Sequence, residues 1–220
     1  METPIIVSIE ANIGAGKSTV LQKLQSVLDP KYTTCIQEPI HYWENFRDPA
    51  SNHSLLELYY SNPEKYAFSL QTMIYSSLSR ILQETIENTR TSLYKPMLIT
   101  ERSLQSSSGI FAKMLYNSGI MTPIEYQVYQ NCVANQPRPL DVCIYLRTEP
   151  EVCYERVHHR NRQGEQRISL DYLRTCHDAH ESWISELPPN THLRIIEVGT
   201  KKPEKILAEV LDILADLTHI

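Results

Sequence analysis

EANIGAGKST, at residues 10–19, decides how the rest of the chain is read. It falls one residue short of the phosphate-binding pattern G-x-x-x-x-G-K-[ST], because Ala11 stands where the pattern has its first glycine. Such a loop works by pointing successive backbone N–H groups inward, with a helix N-terminus adding partial positive charge and a lysine bridging the terminal phosphates. Gly14, Gly16, Lys17 and Ser18 keep those parts. We therefore assign Asn12, Ile13, Gly14, Ala15, Gly16, Lys17, Ser18 and Thr19 to nucleotide phosphates, with Lys17 on the β- and γ-phosphates and the Ser18 hydroxyl on Mg²⁺. A Cβ at Ala11 costs little unless the backbone there needs positive φ or very close contact, so the substitution is expected to be tolerated.

The context around the loop is strand, loop, helix. PIIVSIE at 4–10 is a β-branched run, and apolar residues recur at helical spacing over 17–27. Further short apolar runs at 32–37, 97–100, 142–146 and 193–198 read as buried parallel strands. The segments 54–60, 66–89, 106–116, 123–135, 150–160, 170–185 and 203–217 read as helices. Alternating strands and helices imply an α/β fold, a five-stranded parallel sheet flanked by helices, with ligands at the carboxyl ends of the strands. Three strands end in charge there: Glu10, Glu38 and the pair Glu101-Arg102.

Length and composition narrow the class. The 220 residues, 41% hydrophobic, suffice for one domain, taken as 1–220 with a lid at about 156–168. A net charge of -5 offers no field for DNA, RNA or an anionic membrane, so neither a nucleic-acid polymer nor a membrane is expected as partner. The five cysteines form no C-x-x-C pair, no apolar run reaches bilayer length, and the chain passes almost at once into a strand-like run. A cytoplasmic protein is the expectation.

Phosphoryl transfer needs a base for the acceptor's proton, a metal ligand, and cations for the charge on the phosphoryl oxygens. Glu38 and Glu101 both end strands beside the loop; either can be the base and the other can position the metal or hydroxyl. Arg102 would keep a neighbouring carboxylate ionised. Arg156, Arg160 and Arg162 recur at spacings of four and two, placing the first two on one helix face and the third in a loop that can close over phosphates. Arg167 joins them or is a surface charge. His177 and His180 read H-x-x-H-E without a third ligand, which indicates a partly buried helix face rather than a metal pair. Trp43, Tyr60 and Phe111 can stack on a base or serve as core.

The blocks EANIGAGKST, EPIHYW at 38–43, LLELYYSNPEKYAFSLQT at 55–72, ERS at 101–103, IYLRTEPEVCYERVHHRNR at 144–162 and LDYLRTCHDAHESW at 170–183 resemble, in order and over nearly the whole chain, the cellular deoxynucleoside kinases. That family includes the deoxycytidine, deoxyguanosine and mitochondrial thymidine kinases and the insect multisubstrate enzyme. The resemblance implies a P-loop kinase fold with an arginine-bearing lid, and ATP-dependent phosphorylation of a deoxynucleoside 5′-OH. It makes Glu38 the base, helped by Arg102, and sets Glu101 near Mg²⁺ with Ser18 as direct ligand. Gln71 would read the base edge, Phe111 stack on the base, Trp43 line the pocket, and Tyr60 and Glu165 grip the 3′-OH. Arg156, Arg160 and Arg162 fall on the lid arginines, and 199–202 would touch adenine. A homodimer and feedback binding of dTTP are also implied.

Purine-competent members carry an arginine seven residues after the glutamine and an aspartate six after the ERS glutamate. Here those positions hold Leu78 and Ser107, leaving room beside Ile74 for a 5-methyl group. The resemblance thus favours thymidine first and deoxycytidine second, provided Arg80 does not take the arginine's place through a shifted helix register. Two other readings use the same loop. A thymidylate-type monophosphate kinase would need extra cations for the acceptor's phosphate, and a non-catalytic nucleotide-binding module would have lost its base or its lysine.

Overall fold

The computed structural model describes residues 3–89, 96–134, 138–160, 165 and 168–217. Among them, five strands form one all-parallel sheet: β1 (Ile5–Glu10), β2 (Thr33–Ile36), β3 (Met97–Glu101), β4 (Val142–Arg147) and β5 (His192–Glu197), in the order β2-β3-β1-β4-β5. β1 lies at the centre because its residues are apolar on both faces. Val7 and Ile9 pack on one side with α1 (Lys17–Val27) and α10 (Pro203–Leu217), and Ile6 packs on the other. Each fully buried Val, Ile or Leu contributes roughly 1.5–3 kcal/mol. Register pairs Ile9 with Glu101 and Glu10 with Tyr145, so the carboxyl ends of three adjacent strands finish side by side.

Helices cover both faces: α2 (Ile40–Glu44), α3 (Leu55–Ser61), α4 (Pro63–Thr89), α5 (Leu104–Ser106), α6 (Lys113–Asn117), α7 (Pro123–Val133), α8 (Pro150–Arg160) and α9 (Leu170–Ser185). Local chemistry starts several of them. Thr122 and Glu125 form a reciprocal capping box with Pro123 at the first helical position of α7, and Ser54 and Glu57 do the same for α3.

Several sequence expectations shift. The strand expected at 193–198 is not buried: Ile195 is 40% exposed and only Ile196 is buried within β5, because β5 is the outer strand of the sheet and one flank meets solvent. Helix α2, of five residues, is too short to show a helical repeat in the sequence. The expected helix 106–116 is instead α5 and α6 joined by a π-helical turn, Ser107–Ala112. There, Gly109 sits so close to the Trp183 ring that a Cβ would fall 2.5 Å from Cδ1. Arg162, expected in the lid, and Arg167, expected either there or as a surface charge, lie outside the described residues.

Candidate active site

Ala11 settles the loop's missing glycine. It is fully buried, absent from the positive-φ positions, and its methyl joins the core cluster beneath β1. The strained positions are Gly14 (φ 82) and Gly16 (φ 102). At Gly14 a Cβ would lie 2.6 Å from the Cys153 carbonyl oxygen, so α8 packs against bare backbone there. The Ala11 carbonyl accepts from Lys17 Nζ at 3.2 Å and from Arg102 Nη1 at 2.9 Å, which ties the loop to the end of β3. Lys17 Nζ also reaches the Asn12 carbonyl at 3.2 Å. Burial pushes this ammonium down to about 8, with Arg102 adding to the fall and Glu38, Glu101 and Glu10 opposing it.

The loop opens into a cavity of about 430 Å³, of the size that holds a small-molecule ligand. Residues 13–19 form one wall, with Arg156 and Arg160 from α8. Glu38, Trp43, Tyr60, Gln71, Ile74, Leu78, Glu101, Arg102, Ser107, Phe111 and Glu165 also line it, so nearly all the residues expected from sequence converge. Asn12 does not: its amide donates to the Leu173 carbonyl at 2.8 Å and its Oδ1 accepts from Ile13 N, a tether between the loop and α9. The turn at 199–202 reaches the cavity through Lys201. Leu78 faces the cavity, while Arg80 points outward to pair with Glu84 and sits over the Tyr42 ring, so the helix register is as counted from the sequence.

The charged centre is an ion pair, Arg102 Nε to Glu38 Oε1 at 3.0 Å, both side chains largely shielded from solvent. Arg102 adopts the left-handed conformation, φ 62, which an ordinary side chain occupies only when its surroundings hold it there. Ser103, the next residue, caps α5: its Oγ accepts from Ser106 N at 3.0 Å and Ser106 Oγ accepts from Ser103 N at 3.1 Å. The chain thus turns sharply off β3 into the helix, directing the guanidinium into the cavity. Burial pushes the Glu38 carboxyl up from its ordinary value, and Arg102 pulls against that rise. A carboxylate made more basic yet held charged by an arginine suits proton abstraction.

Glu101 points toward the loop instead. Its Oε1 accepts from Ser18 Oγ at 2.5 Å and its Oε2 from Glu38 N at 3.4 Å. These hard oxygen donors fit Mg²⁺, which is typically held by one or two carboxylates plus substrate phosphates. Among the described residues no group of three or more His, Cys, Asp or Glu is arranged to bind a metal ion. Glu10, fully buried at the end of β1, has neither carboxylate oxygen hydrogen-bonded among the described residues.

Opposite this centre, Gln71 is 5% exposed with an Oε1 that accepts no hydrogen bond among the described residues, and Trp43 is pinned by its Nε1–H to Ser77 Oγ at 2.9 Å. The π turn brings Ser107 and Phe111 into the same cavity. Arg160 donates to Glu165 at 2.6 Å, and burial together with that carboxylate pushes the Tyr60 phenol up. Sequence reasoning missed Tyr59, Tyr172 and Ile206 in the cavity wall, none of which lies in a motif with its own chemistry. It also took His180 for part of a partly buried helix face. His180 is the fully buried member of that face, set against Arg102 and Phe111 where α9 packs on the π-helical turn. No helix among the described residues is long and apolar enough to cross a membrane.

A model of the deoxynucleoside kinase family matches residues 7–214. Deoxycytidine kinase of Rattus norvegicus is 34% identical over 210 residues, covering 87% of this chain and 79% of its own. Deoxycytidine kinase of Bos taurus is 33% identical over 242 residues, with coverage of 96% and 91%. The human mitochondrial thymidine kinase 2 is 32% identical over 188 residues, covering 83% of this chain and 65% of the relative. A match of this extent, falling on a phosphate loop, a paired glutamate and arginine and a cavity between them, means that the chain is a kinase and belongs to the deoxynucleoside kinase family.

Proposed function

We propose that this enzyme transfers the terminal phosphoryl group of ATP to the 5′-OH of a pyrimidine deoxynucleoside, thymidine first and deoxycytidine second. The observation that carries the reading is the buried Glu38–Arg102 pair set between the phosphate loop and a cavity walled by Gln71, Leu78, Ser107 and Phe111. Glu38 takes the 5′-hydroxyl proton while Arg102 keeps the carboxylate oriented and charged. The loop amides and Lys17 hold the donor phosphates, and Arg156 and Arg160 neutralise charge that develops on the transferred group. Bound by Ser18 and Glu101, Mg²⁺ would supply charge neutralisation between the donor's phosphates. The Tyr60 phenol and the Glu165 carboxylate grip the sugar 3′-OH. Gln71 offers an unpaired amide oxygen to the base edge and Phe111 a ring face.

Base preference rests on Leu78 and Ser107. Leu78 is apolar, and the small Ser107 hydroxyl lies 3.5 Å from Tyr129 Oη, so among the described residues these two positions offer neither a cation nor a carboxylate to a purine edge. A purine edge buried there would leave its own polar groups unpaired, at a cost of roughly 1–3 kcal/mol for each. Steady-state phosphorylation of thymidine, deoxycytidine, deoxyadenosine and deoxyguanosine with Mg-ATP tests this: thymidine should lead in kcat/KM, and a leading purine would refute the preference.

A monophosphate kinase is less well supported. The cations lining the cavity among the described residues are Lys17, Arg156, Arg160, Lys201 and Arg102. The first four come from the loop, α8 and the turn after β5. Arg102 is engaged by Glu38, leaving little for an acceptor's phosphate. A homodimer is supported by the apolar face of α7, where Ile124 is 64% and Val128 44% exposed. Light scattering of the purified protein reads the mass directly, and inhibition by added dTTP tests end-product feedback.

A further inference from the structure

His180 lies outside every role assigned so far, yet it touches two of the residues that form the centre. Its Nδ1 is 2.6 Å from the Cys176 carbonyl oxygen, which can only accept, so Nδ1 carries the proton. In the neutral ring Nε2 then presents its lone pair, and Arg102 Nη1 lies 3.4 Å from it. The imidazole also meets Phe111 edge-on, with centroids 5.8 Å apart and planes at 87°, and stacks on Tyr145 at 5.9 Å and 14°. The Arg102 guanidinium in turn sits 4.5 Å over the Phe111 ring. One fully buried side chain therefore backs both the arginine and the ring that frame the acceptor.

We infer that His180 is a positioning residue for phosphoryl transfer, a neutral Nδ1–H imidazole that accepts from Arg102 through Nε2 and so fixes the guanidinium against Glu38 and beneath Phe111. The inference rests on the proposed roles of Glu38 and Arg102. An arginine in a left-handed backbone conformation has few ways to stay in register. The Ala11 carbonyl holds Nη1 from one side at 2.9 Å, and Nε2 supplies the acceptor on the other. Burial, Arg102, Lys17 and His177, the last three capable of positive charge, favour the neutral ring, and the Tyr145 phenol stacked on it is kept neutral by its own burial. A filler residue would need no acceptor at this point; an aromatic hydrocarbon of similar volume would serve equally well.

Two substitutions separate positioning from filling. His180→Phe keeps the ring and removes the acceptor, whereas His180→Gln places an amide oxygen near the position of Nε2. We expect kcat with thymidine to fall about 10- to 100-fold in His180→Phe, with KM for ATP within about twofold of the original, and most of kcat to return in His180→Gln. Unchanged kcat in both variants, or equal losses that track thermal stability, would overturn the inference. Should His180→Phe not fold, nitrogen-15 chemical shifts and two-bond couplings of His180 in the unaltered protein decide: a neutral Nδ1–H tautomer is expected, and an Nε2–H tautomer refutes it. Glu38→Gln, assayed in parallel, keeps the two readings apart. Full activity there sinks the role of Glu38, whereas an inactive Glu38→Gln beside an unimpaired His180→Phe sinks only the role of His180.

Discussion

The phosphate loop and the wall that faces it are made in different ways. The loop is one unbroken stretch between β1 and α1, and its geometry follows from two left-handed glycines and a helix start. The wall is collected from the ends of β2 and β3, the middle of α4 and a π-helical turn, so that Glu38, Arg102, Gln71 and Phe111 meet across long chain separations, with His180 of α9 behind them. Local rules of backbone conformation build the first. The second exists only once the sheet has brought the strand ends together, and its parts restrain one another through ion pairing and ring contacts. Binding of the donor thus depends on a motif, while activation of the acceptor depends on tertiary packing.

Substitutions that act on one side and spare the other sharpen this contrast. The largest effect should come from Glu38→Gln, which keeps the shape of the wall and removes the base. Turnover should fall about 10²- to 10⁴-fold while ATP affinity measured by calorimetry is retained. Leu78→Arg combined with Ser107→Asp should cut kcat/KM for thymidine by about 100-fold and raise it for purine deoxynucleosides, as competition assays would register. On the loop side, Gly14→Ala forces a Cβ to within 2.6 Å of the Cys153 carbonyl in a left-handed backbone. It should cost about 2 kcal/mol or more in denaturant unfolding and weaken ATP binding.

Acidification should loosen the wall. Burial, reinforced by Arg102, pushes His180 from 6.5 down to about 3, so the unfolded chain binds a proton that the folded protein refuses. The stabilising contribution is complete above pH 6.5 and is lost as pH falls from there toward 3, at up to about 1.4 kcal/mol per pH unit for this one group. Urea unfolding at pH 7 and pH 5 should show the drop, and His180→Gln should flatten it. The smallest effect belongs to Ala11→Gly. Restoring the pattern's glycine at a position without positive φ should leave turnover unchanged and cost about 1–2 kcal/mol, from added chain entropy and the loss of one buried methyl.

Much of the fold was legible because the sheet's central strands are short continuous apolar runs and the helices carry clean spacing; the bounds of α1, α8, α9 and α10 coincide with those read from periodicity. Most of the expected site residues also converge, since strand-end charges beside a phosphate loop have little else to do. What escaped reading depends on packing. The exposure of β5 follows from strand order, which no local pattern encodes. The π turn at Ser107–Ala112 places both Ser107 and Phe111 on the cavity, and Gly109, whose lack of a Cβ lets Trp183 approach, gave no warning in a helical stretch. The left-handed Arg102 and the buried His180 are visible only when β3 and α9 are seen against each other.

The central claim is that the Glu38–Arg102 pair activates the hydroxyl of a neutral nucleoside, and the most direct test is the ratio of kcat/KM for thymidine to that for dTMP, measured with Mg-ATP on the same preparation. The account predicts that thymidine exceeds dTMP by about 100-fold or more, because an acceptor phosphate would meet the Glu38 carboxylate, whose partner Arg102 is already engaged by it. A ratio at or below unity would contradict it and make the acceptor a nucleotide.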